Sequence, residues 1–198
     1  MSRLVVVSNR VADLRDPAQA GGLAVAVLDA VTSRGGLWFG WDGKTVPPGT
    51  SVAPHIEEVS GVTTVTLPLT QRDYREYYAG FSNSVLWPLL HYRLDLIESQ
   101  KNHLRGYKRV NSKFADALSP MLEQDDIIWI HDYHLFPLGS ELRKRGHTQK
   151  IGFFLHIPFC PPEMLAAAPE HEWLVQSLFS YDLIGFQTHT DLGNLRLD

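Results

Sequence analysis

The 198-residue sequence has little cysteine and no long apolar run. Its one cysteine, Cys160, excludes a disulfide framework and fits the reducing cytoplasm, where we expect the protein to act. No apolar run approaches the roughly 18 residues that a membrane span needs. The four apolar residues that begin at Leu4 are too few for a signal peptide. A membrane partner is therefore not expected.

An excess of basic residues is also missing. Eighteen Lys and Arg stand against 22 Asp and Glu, which gives a formal net charge of -4. A protein with this balance has no overall field that attracts nucleic acid, so we expect no nucleic-acid partner. The hydrophobic content of 44% and charged content of 20% are typical of a globular domain and argue against disorder.

Short apolar segments alternate with helical patterns along the chain. Four predicted strands are almost wholly apolar, at residues 4–7, 127–130, 151–155 and 183–186. Such strands are buried on both faces, which predicts a mostly parallel sheet with helices on each side. The fold class is therefore α/β, a doubly wound, Rossmann-like domain. The β-rich stretch at about residues 37–67 is expected to be an insertion or an antiparallel edge.

Polar side chains directly follow each of these four strands. They are Ser8, Asn9 and Arg10, then His131, Asp132, Tyr133 and His134, then His156, and finally Gln187, Thr188 and His189. Ligands of open parallel sheets bind beyond the carboxyl ends of the strands. Polar residues at one strand end can simply meet solvent, but four such ends together favour a site.

Two features near the first strand suit an anion. Gly21 and Gly22 precede a predicted helix, and a glycine pair allows a backbone to approach a phosphate at a helix N-terminus. The pair matches neither nucleotide-binding glycine fingerprint, so an ordinary turn stays an alternative. Arg10 could clamp a phosphate or carboxylate with its guanidinium, or form a surface salt bridge.

An aromatic cluster lies further along the chain. It contains Tyr74, Tyr77, Tyr78, Phe81 and Trp87. Aromatic faces beside polar tips suit sugar rings, although a helix–helix core would have the same composition. Arg72, Arg75 and Arg93 could attract an anion or line a solvated face.

Neither the histidines nor the cysteine predicts further chemistry. The spacing of His131, Asp132 and His134 matches no standard zinc signature, so no metal is expected. Cys160, between Phe159 and Pro161, is expected to be a packed apolar residue rather than a nucleophile.

Several longer stretches identify a family. They are residues 5–10 (VVVSNR), 36–41 (GLWFGW), 77–78 (YY), 81–83 (FSN), 85–88 (VLWP), 91–93 (HYR), 128–135 (IWIHDYHL) and 152–159 (GFFLHIPF). Together they resemble the N-terminal half of trehalose-6-phosphate synthase, a retaining glycosyltransferase of the two-domain B type. The resemblance extends in order from Arg3 to about Gln187.

The resemblance implies an activity and a domain assignment. Family enzymes transfer glucose from UDP-glucose to glucose 6-phosphate and form α,α-trehalose 6-phosphate. Residues 1–198 would be the N-terminal, acceptor-binding domain, without the C-terminal domain that holds the nucleotide sugar. We expect such a half to be inactive alone, to need no cofactor besides its small-molecule substrates, and to be able to form a homo-oligomer.

The resemblance also implies a role for each matching residue. Arg10 and Tyr78, rather than Tyr77, would hold the acceptor phosphate, and Trp87 would flank the acceptor sugar. The catalytic pair would be Asp132, which hydrogen-bonds acceptor hydroxyls, and His156, which contacts the donor glucose. Gly21 and Gly22 would approach the donor diphosphate.

Other functions remain open at this point. The same fold could serve a different acceptor, as in glucosylglycerol-phosphate synthase or the pseudo-sugar transferases. A non-catalytic module that keeps a sugar-phosphate pocket is another alternative. A dinucleotide oxidoreductase is disfavoured because the glycine fingerprint is missing.

Overall fold

A computed structural model describes residues 2–12, 14, 30–32, 36–59 and 61–195. Seven strands form one sheet in the order β3-β4-β2-β1-β5-β6-β7. The strands are β1 Leu4–Arg10, β2 Gly36–Val46, β3 His55–Val59, β4 Val62–Thr70, β5 Ile127–His131, β6 Lys150–Phe154 and β7 Leu183–Gly185.

The sheet is parallel apart from one edge. Strand β1 pairs in parallel with β2 and β5, and β6 pairs in parallel with β5 and β7. Of the seven strands described, only β3 runs antiparallel, against β4. This arrangement confirms the predicted α/β fold with a mostly parallel sheet, and it brings the carboxyl ends of six strands to the same edge.

The β-rich stretch at about residues 37–67 differs from the predicted insertion or antiparallel edge. Strands β2 and β4 pair in parallel within the main sheet, so the description of an antiparallel edge fits β3 alone. The Thr-rich alternation of β4 is typical of a strand with one solvated face. For this reason the sequence did not predict that β4 pairs with β2 inside the main sheet. The connection from β2 to β4 also contains a strand where a parallel crossover usually has a helix.

Helices follow β4 and each later strand. They are the continuous helical segment α1 (residues 71–90), then α2 Lys101–Leu118, α3 Leu138–Lys144, α4 Pro162–Leu165, α5 His171–Leu178 and α6 His189–Leu195. Residues 30–32 are also helical. The remainder of the helix predicted after Gly21 and Gly22 lies outside the described residues. Among those described, no helix is long and apolar enough to cross a membrane.

Segment α1 continues through residues that usually interrupt a helix. Its middle part, Tyr74–Leu86, is π-helical, and the amide of Trp87 donates to the carbonyl of Ser82 five residues earlier. Gly80 and Asn83 are typical helix breakers in the sequence. Instead, Gly80 allows close packing, since a Cβ there would lie 2.8 Å from the His103 ring of α2.

The core under the site is aromatic. Tyr77 and Phe81 of α1 and Tyr107 and Phe114 of α2 are fully buried. The ring of Phe114 packs edge-on against Phe39 of β2, with the centroids 5.3 Å apart. This packing fixes α1 and α2 on the sheet and thereby positions the aromatic residues near the carboxyl edge.

Candidate active site

The ends of β5, β6 and β7 are joined by hydrogen bonds beyond the strands. The amide of Asp132 donates to the carbonyl of Phe154 over 2.8 Å, and that of Leu155 donates to Gly185 over 3.0 Å. The side-chain amide of Gln187 donates to the carbonyl of His156 over 3.2 Å. The sheet therefore holds Asp132, His156 and Gln187 side by side.

Asp132 has a strained backbone. Its φ of 76° and ψ of 163° lie in a region that residues other than glycine rarely adopt and that costs on the order of 1–3 kcal/mol. Its Oδ1 accepts the amides of Tyr133, at 3.1 Å, and of His156, at 3.4 Å. These bonds tie the carboxylate to the ends of both β5 and β6. Strain of this kind is typical of functional positions.

The Asp132 carboxyl is also electrostatically unusual. Burial raises its pKa from the ordinary value to about 6, more than its two backbone hydrogen bonds lower it. At neutral pH the group is mainly a carboxylate that water solvates poorly. It can therefore accept hydrogen bonds strongly from ligand hydroxyl groups.

His156 forms a pair with His131. The Nδ1 atom of His131 lies 2.9 Å from Nε2 of His156, and the two rings stack with centroids 5.2 Å apart. Burial lowers the pKa of His131 to about 3 and also lowers that of His156. Both rings are therefore neutral at neutral pH.

A polar cleft of about 530 Å³ lies where β1, β2 and α1 meet. It is lined by Arg10, Trp41, Gly43, Thr45, Gln71, Tyr74, Arg75 and Tyr78. Arg10 and Arg75 are exposed, and neither guanidinium has an ion-pair partner in the described part of the chain. Two unneutralised cations in one cleft favour an anionic ligand.

The neighbouring cations are already paired. Arg72 and Arg109 both bind the carboxylate of Glu76, at 3.0 and 2.7 Å. Arg109 and Lys113 also bind Asp73, at the start of α1. These ion pairs anchor α1 to α2, whereas Arg10 and Arg75 have no ion pair with any residue that the structure describes.

Gly43 makes room for Arg10. Its φ is +82°, and a Cβ at this position would lie 2.8 Å from Nε of Arg10. The bulge between Trp41 and Thr45 is held by the Asp42 carboxylate, which accepts the Lys44 amide at 2.8 Å. Trp41 and Gly43 were not predicted as lining residues, although Asp42-Gly43 is a common turn dipeptide.

The two adjacent tyrosines of α1 differ in burial and in their contacts. Tyr77 is fully buried, and its hydroxyl donates to Oδ1 of Asn9 over 2.7 Å. Tyr78 lines the cleft, and its ring stacks on His134 at 5.7 Å and contacts Trp41 at 5.3 Å. Tyr78 therefore lines the cleft with a side chain whose ring packs against two other aromatic rings.

Trp87 lies at the other end of α1. Its side chain is 45% exposed, with the ring 4.1 Å from His91 and 5.7 Å from Tyr133. The Tyr133 hydroxyl in turn donates to Oδ1 of Asn83 over 2.9 Å. An exposed indole supported by a fixed phenol is suited to contact with a sugar face.

Of the remaining residues considered from the sequence, Arg93 and Cys160 do not line the cleft. Gly21 and Gly22 lie outside the described residues. Arg93 forms an exposed ion pair with Asp95. Cys160 is buried, and burial raises its pKa to about 11, so its thiol is not activated. Within the described ranges, no three His, Cys, Asp or Glu side chains could hold a metal ion.

Comparison with known proteins places this geometry in a family. The model of glycosyltransferase family 20 matches residues 6–194. A trehalose-6-phosphate synthase of Enterobacter sp. (strain 638) is 53% identical over 193 residues, which are 96% of this chain and 40% of that protein. One from Citrobacter koseri is 54% identical over 192 residues, with the same coverage.

Solved structures are similar as well. A UDP-forming α,α-trehalose-phosphate synthase from Burkholderia xenovorans, in complex with glucose 6-phosphate, is 49% identical with a TM-score of 0.92 and covers 98% of this chain. A structure from E. coli bound with UDP-2-fluoro glucose is 50% identical with a TM-score of 0.90. This chain covers 42% of each of those chains.

The matched region thus covers nearly all of this chain but less than half of each relative. The chain spans about 40% of the length of the curated relatives that it matches. Because the family model matches residues 6–194, which are nearly the whole chain, the chain belongs to glycosyltransferase family 20.

Proposed function

We propose that this chain is the acceptor-binding domain of a retaining glucosyltransferase that moves glucose from UDP-glucose to glucose 6-phosphate and forms α,α-trehalose 6-phosphate. The observation that carries the proposal is the cleft with Tyr78 and two guanidinium groups that have no ion pair among the described residues, on the same sheet edge as Asp132 and His156. The ligands named for the two similar structures, glucose 6-phosphate and a fluorinated UDP-glucose, support both substrates.

In this proposal the acceptor phosphate binds between β1 and α1. Arg10 donates two parallel hydrogen bonds to phosphate oxygens, a geometry that the planar guanidinium favours. The Tyr78 hydroxyl donates a third. Gly43 leaves the space that the Arg10 side chain needs in this position.

The sugar of the acceptor extends toward the ends of β5 and β6. Asp132 accepts hydrogen bonds from its hydroxyl groups, and Trp87 covers one face of the ring. The strained backbone and the two amide hydrogen bonds hold the Asp132 carboxylate in place before the substrate arrives. Positioning of this kind lowers the entropic barrier to the transfer.

His156 contacts the donor glucose near the carbon that reacts. A neutral imidazole can hydrogen-bond a sugar hydroxyl without placing a second positive charge beside the cationic transition state. The resemblance assigns Gly21 and Gly22 to the donor diphosphate. A front-face transfer, in which the departing phosphate takes the acceptor proton, needs no nucleophilic carboxylate, unlike a retaining glycosidase.

Calorimetric titration of the chain tests this function. We expect glucose 6-phosphate to bind more tightly than glucose. Arg10→Ala should weaken glucose 6-phosphate about tenfold or more and leave glucose nearly unchanged, because a charge-assisted hydrogen bond contributes roughly 1.5–3 kcal/mol. Arg93→Ala is the matched control, since Arg93 is also exposed but already pairs with Asp95.

Equal affinity for glucose and glucose 6-phosphate would overturn the proposed acceptor. Equal losses of both ligands in Arg10→Ala would make Arg10 a structural residue. Tighter binding of another phosphorylated acceptor than of glucose 6-phosphate would move the chain to a related transferase of the same fold.

A further inference from the structure

His131 is a buried histidine that the proposed reaction does not use. It is the last residue of β5 and is fully buried, opposite Phe154 of β6 in the register of the sheet. The centroid of its ring lies 4.3 Å from that of Trp129 and 5.2 Å from that of His156. Its only hydrogen-bond partner within the described residues is Nε2 of His156.

One proton must lie between the two facing nitrogens. If His131 donates from Nδ1, then Nε2 of His156 accepts and the remaining His131 nitrogen, Nε2, is a bare lone pair. If His156 donates, neutral His131 must carry its proton on Nε2. That atom is buried without a partner in the described structure, so its N–H would have no acceptor.

The first arrangement is the less costly one. Buried N–H groups without acceptors are rarer in proteins than acceptors with an unfilled lone pair, as the main chain shows. A doubly protonated ring is excluded at neutral pH, because burial holds the pKa of His131 at about 3. His131 therefore donates from Nδ1, and Nε2 of His156 is the acceptor.

This choice decides what His156 can offer to a ligand. A neutral imidazole carries one proton, and the hydrogen bond at one ring nitrogen determines where that proton resides. With Nε2 occupied as an acceptor, His156 carries its proton on Nδ1, which has no partner among the described residues. The Phe154 ring also packs against the imidazole, with the centroids 4.7 Å apart.

We propose that His131 is a positioning residue that fixes His156 in the Nδ1–H tautomer, so that His156 presents a hydrogen-bond donor to the sugar ligand at the carboxyl edge. The ligand in this statement rests on the proposed function. The hydrogen bond and the tautomer do not, because both exist in the ligand-free chain.

Nitrogen-15 NMR of the histidine-labelled chain at neutral pH tests the proposal directly. Correlations between ring nitrogens and carbon-bound protons distinguish protonated from bare nitrogens, and the spectrum of His156→Gln assigns the His156 signals. We expect protonated Nδ1 and bare Nε2 in both His131 and His156. The His131 signals are those that disappear in His131→Phe, and a protonated Nε2 at this residue in the unaltered chain would overturn the proposal.

Two variants of His131 separate positioning from packing. His131→Asn places an amide N–H where Nδ1 stood, so it should keep His156 in the Nδ1–H form. His131→Phe keeps an aromatic ring against Trp129 but has no donor, so it should release His156 to a mixture that contains the Nε2–H form. An unchanged His156 tautomer in folded His131→Phe would show that His131 only packs.

Failure of this proposal and failure of the proposed function give different results. The tautomers are read without ligand, whereas the acceptor is tested by titration with glucose 6-phosphate. A chain that binds glucose 6-phosphate but has the opposite tautomer contradicts only the role of His131. A chain with the expected tautomer that does not bind the sugar phosphate contradicts only the acceptor.

Discussion

Arg75 lies on α1 one helical turn from Arg72, and the two arginines differ in their partners. Arg72 binds Glu76, whereas Arg75 has no ion pair in the described structure and lines the same cleft as Arg10. Sequence alone left both residues as either anion-binding or solvated. The difference in pairing is what makes Arg75 a second candidate for the acceptor phosphate.

Arg75→Ala should weaken glucose 6-phosphate several-fold, on the order of 3- to 10-fold, because an exposed charge contributes about 0.5–1.5 kcal/mol to such a contact. Arg72→Ala is the matched control and should leave the affinity nearly unchanged. Isothermal titration of both variants measures the difference. Equal effects of the two substitutions would mean that only the overall charge of α1 matters.

Asp132 combines backbone strain with a raised pKa, and both features predict a cost in stability. Its folded-state pKa of about 6 exceeds the ordinary value of 3.8, so the folded chain binds this proton more tightly than the unfolded chain does. The charged group therefore destabilises the fold above about pH 6, and this cost disappears as the pH falls toward about 4.

Asp132→Asn should accordingly raise the free energy of unfolding at neutral pH by roughly 1–3 kcal/mol, since one pKa unit corresponds to ~1.4 kcal/mol. The gain should fade toward about pH 4, where the wild-type carboxyl is protonated. Denaturant unfolding at several pH values measures it. Asp95→Asn, in an exposed pair with Arg93, is the control and should change stability little.

A loss of stability in Asp132→Asn at neutral pH would contradict a destabilising buried charge and make the carboxylate part of the scaffold. A gain that does not depend on pH would also contradict it, because the burial of the charge would then not be the cause.

At the scale of elements, the site depends on how closely α1 approaches α2. Gly106 of α2 faces Glu76 of α1, and a Cβ on Gly106 would lie 2.2 Å from Cβ of Glu76. Tyr78 and Trp87 are both carried by α1. A displacement of α1 therefore changes the cleft and the exposed indole together.

Gly106→Ala should destabilise the chain by about 1–3 kcal/mol through overpacking and weaken glucose 6-phosphate binding at the same time. Gly193→Ala is the matched control, because Gly193 lies in helix α6 with no atom within 4 Å of a built Cβ. It should gain about 0.5–1 kcal/mol from helix propensity. Denaturant unfolding compares the two, and similar changes would contradict the close contact of α1 with α2.

The elements were predictable from sequence where burial dominates the pattern. Strands β1, β5, β6 and β7 follow their apolar runs within one to three residues, since strands buried on both faces need such runs. Strand order was not predictable, because β2 and β4 carry no signal for which neighbour they choose. The π-helical part of α1 could not be predicted either, since Gly80 usually interrupts a helix and only the packing against His103 explains it here.

The residues of the candidate site also include some that the sequence predicted and some that it did not. Arg10, Asp132 and His156 could be named because each directly follows an apolar strand in the sequence. Trp41 and Gly43 could not, because their place beside Arg10 depends on the pairing of β1 with β2 and on the irregularity of β2 after Trp41. The pairing of His131 with His156 was likewise invisible, since it depends on the register of β5 and β6.

At the scale of the whole molecule, the parallel sheet has two different ends. The carboxyl ends of its strands hold the cleft, the strained Asp132 and the histidine pair. The amino ends begin at Leu4, Ile127 and Lys150. A fold of this kind gathers its ligand groups at one edge even though they are far apart in sequence.

Titration of the nitrogen-15-labelled chain with glucose 6-phosphate, with glucose as the matched control, tests most directly whether the ligand binds at the carboxyl edge. We expect saturable amide shifts at Gly43, Tyr78 and His156, with glucose giving smaller shifts near the cleft. The amides of Leu4 and Lys150, at the opposite edge, should not move. Shifts confined to the amino ends of the strands, or no shifts with saturating glucose 6-phosphate, would contradict an acceptor site at the carboxyl edge.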